Sequence, residues 1–278
     1  MEHRMSDRLS GHRDGAALPA SSALVAILLG LSGGAWLISA RLATPDMRLG
    51  VLTGAARMSA RSPMGMPSSM SMGLSGFIAT WTVMMVAMMV PSVVPAVRAF
   101  DTLARTKGQS GGATVLFVTG YFVVWSTIGA VAYLVVQALQ GWLPTGSVTA
   151  LRVGAGLLVG AGVYQLTPPK QACLRQCRSP HPGVALPVGT RVQRRPGAVR
   201  AGLGQGVYCL GSSWPLMLVL LLVGLMNLAW MGVIAGVIGV EKVVPRGEVV
   251  SKVVGWGLAG WGIILLAAQH TLPALGGG

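Results

Sequence analysis

Acidic residues are scarce in this chain, and none falls between Asp101 and Glu241. Seven Asp/Glu stand against 21 Lys/Arg, and charged residues make up 10% of the 278. Soluble domains carry about 25%. The long acid-free stretch excludes a carboxylate pair for general acid/base hydrolysis from the middle of the chain. The histidines, His3, His12, His181 and His270, lie in polar segments or near the termini, which leaves no Ser/His/Asp constellation. No glycine-rich phosphate loop with its following lysine is present. Three cysteines, Cys173, Cys177 and Cys209, are too few for a disulfide framework. These absences argue against an enzyme.

Apolar length is abundant instead. Hydrophobic residues are 53% of the chain, and several runs of 20 or more match a roughly 30 Å hydrocarbon core. No strand-like alternation offers a barrel, so the expected fold class is all-α: a polytopic membrane bundle of about six transmembrane helices. Forty glycines suit helices packed closely in lipid. Residues 1–18 read as a polar tail, 19–40 as the first span and 41–73 as an external loop. Residues 74–269 form a five-helix membrane core, with a basic, cysteine-containing loop at 167–204, and 270–278 is a C-terminal tail.

The core spans are expected at Leu74–Val97, Gly112–Leu139, Ser147–Leu166, Trp214–Val240 and Val249–Ala268. Pro91 and Pro95 should kink or end the first of these. Gly156 and Gly160 form a Gly-x-x-x-Gly pair for close helix contact. Residues 206–240 carry no charge and would extend about 50 Å as one helix. They read as a bent approach through Cys209 followed by one span, although two crossings would invert everything after them. With the N-terminus inside, inner segments hold 13 of the 21 Lys/Arg, which supports a cytoplasmic N-terminus. The basic surplus lies between spans, so its expected partner is the lipid bilayer and not nucleic acid.

Sulfur is the other feature present in quantity. Nine of fifteen methionines fall between Met58 and Met89. Met64, Met66, Met70 and Met72 sit in a Pro/Gly/Ser-rich loop, and thioethers suit Cu(I) over harder ions. Such methionines also serve as tolerant apolar filler. Met84 stacks on Met88 and Met85 on Met89 at i, i+4, either as core or as a sulfur-lined path. Cys173 and Cys177 would share a helical face, with His181 near, and Lys170, Arg175 and Arg178 would lower the thiol pKa. Cys209 would meet them at the inner face, a donor set for copper, with zinc second. The competing reading is a surface helix whose arginines bind lipid phosphates. Glu241 and Lys242 read as an exposed terminus or an ion pair.

Three blocks carry a resemblance. They are Trp81–Ser92 (WTVMMVAMMVPS), Gly162–Pro168 with Lys170, Cys173 and Cys177, and Gly206–Cys209. The last continues through Trp214–Met217, Gly224–Asn227 and Trp230–Met231 to Glu241–Lys242. Over roughly Leu74 to Gly260 the chain resembles the bacterial family described as predicted metal-binding integral membrane proteins, domain-of-unknown-function family 2182. That resemblance implies a bacterial inner (plasma) membrane location and a metal-linked role. Where the family usually has two cysteines, this chain has Ser212 and Ser213, poor ligands for a soft metal. The leading expectation is non-enzymatic copper binding or delivery. The alternative is an accessory subunit packed against other subunits of a membrane metalloenzyme complex. Thiol–disulfide exchange by Cys173 and Cys177 is a third reading.

Overall fold

The computed structural model describes residues 20–42, 74–109, 111–142, 148–178, 195–223 and 228–275. Its helices are α1 (Ala20–Leu42), α2 (Leu74–Thr106), α3 (Gly112–Trp142) and α4 (Val148–Leu166), then α5 (Pro168–Arg178), α6 (Arg195–Val223), α7 (Leu228–Val243) and α8 (Gly247–Leu275). No strand occurs among the described residues, so the all-α expectation holds. Five helices are long and apolar enough to cross a membrane: those carrying Ser22–Arg41, Leu74–Thr106, Gly112–Val135, Pro196–Leu222 and Gly247–Ala268. Their outer faces are greasy, with Leu37, Trp256 and Ile264 each more than 60% exposed.

Pro91 and Pro95 do not end α2, which runs on to Thr106. A proline lacks the N–H that would bond four residues back, so Pro91 leaves the Ala87 carbonyl free. Ser32 Oγ and Trp36 Nε1 of α1 donate to that oxygen at 2.9 and 3.0 Å. In α6, Pro215 frees Gly211 in the same way, and the Tyr164 hydroxyl of α4 donates to it at 2.9 Å. Each proline thereby creates a docking point for a neighbouring helix. Residues 98–109, which lie between two of the expected spans, are mostly helix, closed by Gly108 at φ 69°. Gly108 and Gln109 donate to the carbonyls of Arg105 and Ala104, the pattern of a Schellman stop.

Glycine decides the closest crossings. A Cβ on Gly202 or Gly120 would run into the backbone of Phe117 or Val199 across the α3–α6 contact, and Gly162 and Gly255 face each other across α4–α8. Gly156 and Gly160 have open space, so the expected Gly-x-x-x-Gly pair points outward. Contact with α8 falls to Gly162, about half a turn away around α4.

Segment 206–240 supplies two helices rather than one span, with α6 and α7 on either side of 224–227. Lys242 reaches Cys209, and each lies roughly four turns from the facing helix ends, so α6 and α7 are antiparallel. The single-span reading puts the 241–248 turn at the opposite end from the cysteine segment. The structure brings them together: Lys170 pairs with Glu241 at 2.8 Å, Arg175 with Glu248 at 3.7 Å, and Arg178 donates to the Val244 carbonyl.

Candidate metal site

The sulfur site forms where α5 lies across the middle of α6. Pro168 and Pro169 occupy the first turn of α5, where a missing N–H costs nothing, and the chain turns at Thr167, whose hydroxyl donates to the Tyr164 carbonyl at 2.7 Å. The i, i+4 spacing then works as expected, and Cys173 and Cys177 both face α6. Cys173 Sγ lies 2.7 Å from where a Cβ on Gly211 would stand, so glycine at 211 leaves room for that thiol. Cys177 Sγ lies 3.7 Å from Ser212 Oγ and within hydrogen-bonding reach of Cys209.

Cys209 is buried at the centre of this group. Lys242 Nζ donates to its sulfur at 2.8 Å, and the Tyr121 hydroxyl lies 3.0 Å from it. Tyr121 reaches this position because Gly202 and Gly206 allow α3 to lie against α6. Behind Lys242, the Lys170–Glu241 pair is sealed from solvent at 0% and 2% side-chain exposure. Lys170 also bonds Gln165 Oε1, while Ser251 donates to the Gln165 carbonyl at 3.1 Å. One polar network thus ties α4, α5, α7 and α8 to the sulfur site. At about 1.5 Å per residue, α3 and α6 extend about 13 and 20 Å beyond it, whereas α4 and α7 end close by.

The sequence argument that Lys170, Arg175 and Arg178 would acidify the thiols is overturned. Lys170 is committed to Glu241 and Gln165, Arg175 to Glu248 and Arg178 to a carbonyl. Burial pushes the Cys173 thiol up from its ordinary value. The hydrogen bond to Cys209, with burial next, raises Cys177 well above its own. Lys170 itself is lowered by desolvation, with Glu241 opposing. The cation that touches sulfur is Lys242. Of the two readings of Glu241 and Lys242, the exposed terminus fails and the ion pair holds for Glu241, whose partner is Lys170. Both were hidden in sequence because the 35 uncharged residues before them give no sign of where the chain doubles back.

Among the described residues no group of three His, Cys, Asp or Glu stands together as a metal cage. The structure brings Cys177 and Cys209 together and places Cys173 a turn away along α5, against Gly211. His181, Met64, Met66, Met70 and Met72 lie outside the described residues, as do Met226 and Asn227. Met84, Met85, Met88 and Met89 are all buried core at 0–2% exposure. Their height is fixed by neighbours: Trp81 Nε1 donates to the Trp125 carbonyl, and Phe100 stacks on Phe117 at 4.5 Å. Ser212 and Ser213 are buried and both donate to the Cys209 carbonyl, at 2.8 and 2.7 Å. Of the two, Ser212 also borders Cys177.

Two soft thiols beside an ammonium form a donor set suited to a soft cation. No curated protein and no solved structure matches the chain. Residues 78–265, which include Met84 to Met89, all three cysteines, Glu241 and Lys242, match the family model described as PpoB2, copper chaperone. That match covers well over half of the chain, which therefore belongs to the PpoB2 copper chaperone family.

Proposed function

We propose that this protein is a non-enzymatic, multi-pass chaperone of the bacterial inner membrane that carries Cu(I) on Cys177 and Cys209. The observation that carries the reading is that Cys177 of α5 lies against Ser212, one turn along α6 from Cys209, while Lys242 of α7 caps the Cys209 sulfur. Thiolate sulfur favours soft metals, Cu(I) among them. The apolar outer faces of α1 and α8 support a lipid bilayer as the surroundings. With α4 and α7 also crossing, seven of the described helices span, so α1 begins and α8 ends on opposite sides. Lys242, Arg246 and Lys252 then join the cytoplasmic side, raising its share to 16 of 21 Lys/Arg and strengthening the N-inside orientation. Met64, Met66, Met70 and Met72 would collect Cu(I) outside. Met84, Met85, Met88 and Met89, buried along α2, would conduct it inward.

Cys209→Ser and Cys177→Ser are the direct test. Each is expected to weaken Cu(I) binding by on the order of 100-fold or more, since losses even beyond the ligands cost roughly 10- to 100-fold. Competition with a chromophoric Cu(I) chelator measures it, and unchanged affinity in both variants would sink the site. A gain of function is expected from Ser212→Cys, which places a third sulfur beside Cys177 and should tighten Cu(I) by on the order of tenfold. Ser213→Cys, with no such neighbour, should leave the affinity near wild type.

One observation favours the accessory-subunit reading: on the α4 face at Gly156 and Gly160, beside Leu157 and Trp214, no described residue of another element comes within 4 Å of a Cβ added at either glycine. Purification in mild detergent distinguishes the two. A stable larger complex favours the subunit, and a copper-loaded single chain favours the chaperone.

A further inference from the structure

We propose that Lys242 is the specificity-determining residue of the cargo site, making it accept a monovalent soft cation and reject a divalent cation of similar softness. The inference rests on the cargo reading above and deepens it. Cargo binding requires both sulfurs as thiolates, so Cys177 and Cys209 contribute two negative charges. Lys242, with its amine 2.8 Å from Cys209 Sγ, contributes one positive charge. A monovalent ion brings the enclosed site to neutrality. A divalent ion leaves one uncompensated positive charge away from water, which is strongly unfavourable.

The surrounding groups do not alter that balance. Lys170 and Glu241 cancel each other in their own sealed pair. Tyr121 from α3 and Ser212 from α6 are neutral at the sulfurs. On α5, Arg175 is matched by Glu248 of α8, and Arg178 binds the Val244 carbonyl in contact with solvent, so neither adds charge to the enclosed site. Cys173 stays apart against Gly211. Lys242 is also confined: it sits in the last turn of α7, next to Glu241, which the bond to Lys170 holds in place. Each thiol that binds cargo releases its proton to solvent, two metal–sulfur bonds form, and no electron changes hands.

Ag(I) and Cd(II) are both soft and redox-inert under these conditions, so comparing them isolates charge. Full-length protein in detergent is titrated with each ion, and protection of Cys177 and Cys209 from alkylation is read by mass spectrometry. Lys242→Met and Lys242→Gln are expected to shift the Ag(I)/Cd(II) preference at least tenfold toward Cd(II), while Lys242→Arg stays close to wild type. An unchanged preference in the neutral variants, with Ag(I) still binding wild type, overturns the role of Lys242 alone. Wild type that leaves both cysteines unprotected by Ag(I) and by Cu(I) overturns the cargo reading and this one with it. If the neutral variants do not fold, wild type decides. Retention of one Cd(II) per chain through desalting overturns the proposal, and its exclusion with Ag(I) retained supports it.

Discussion

Glu241→Ala is expected to cost about 3–5 kcal/mol of stability, the usual penalty for leaving one member of a buried ion pair alone. Lys170 has no exposed side-chain surface, and Glu241 supplies its one carboxylate contact among the described residues. Gln165 remains as a neutral acceptor, which cannot replace a charge. The loss should spread, because the same network joins α4, α5, α7 and α8 around the sulfurs. Thermal unfolding in detergent measures it, with the double variant Lys170→Met, Glu241→Met as reference. Removing both charges leaves no ion unpaired and should recover much of the stability. A single variant as stable as wild type would show that water reaches Lys170.

Gly202→Leu should be the second severe change. Its Cβ would strike the Phe117 carbonyl and come within 3.0 Å of the Tyr121 backbone nitrogen. Neither is the yielding tip of a side chain. α3 and α6 must therefore separate, at a cost of about 1–3 kcal/mol for overpacking, or more where backbone has to move. Separation also draws Tyr121 away from Cys209, so bound Cu(I) per chain should fall together with stability. Gly156→Leu is the matched control, since no described residue of another element lies within 4 Å of a Cβ added there, and it should leave both measurements near wild type. Equal behaviour of the two variants would falsify the assignment of the tight crossing to Gly202.

The contrast between these glycines shows what a sequence can and cannot reveal. The spacing of Gly156 and Gly160 marks a smooth helix face, but spacing does not say which way that face turns. Gly202 and Gly206 have the same spacing and lie at the tightest contact, amid a helix start that reads as a basic loop. The prolines behave similarly. Pro91 and Pro215 predict freed carbonyls from covalent structure alone. That Trp36 and Tyr164 would fill them depends on which helices become neighbours. The i, i+4 placement of Cys173 and Cys177 on one face was legible, because helical geometry is local. Their protonation was misjudged from the same residues, since nearby cations in sequence were already engaged by Glu241, Glu248 and a backbone carbonyl.

Sequence by itself determined the all-helical class, the apolar length of the helices, the sulfur content and the placement of Cys173 and Cys177 on one helix face. Each follows from composition or from a repeat of a few residues, and the physics behind them acts along one helix. Only the tertiary structure decided that α6 and α7 form a hairpin, which returns Glu241 and Lys242 to the cysteines from more than 30 residues away. It also decided that Tyr121 from a third helix completes the group. The reason is that an uncharged stretch fits one long helix or two short ones equally well. Burying Lys170 against Glu241, and Lys242 against Cys209, separates those choices, because charges taken out of water must find partners across the fold.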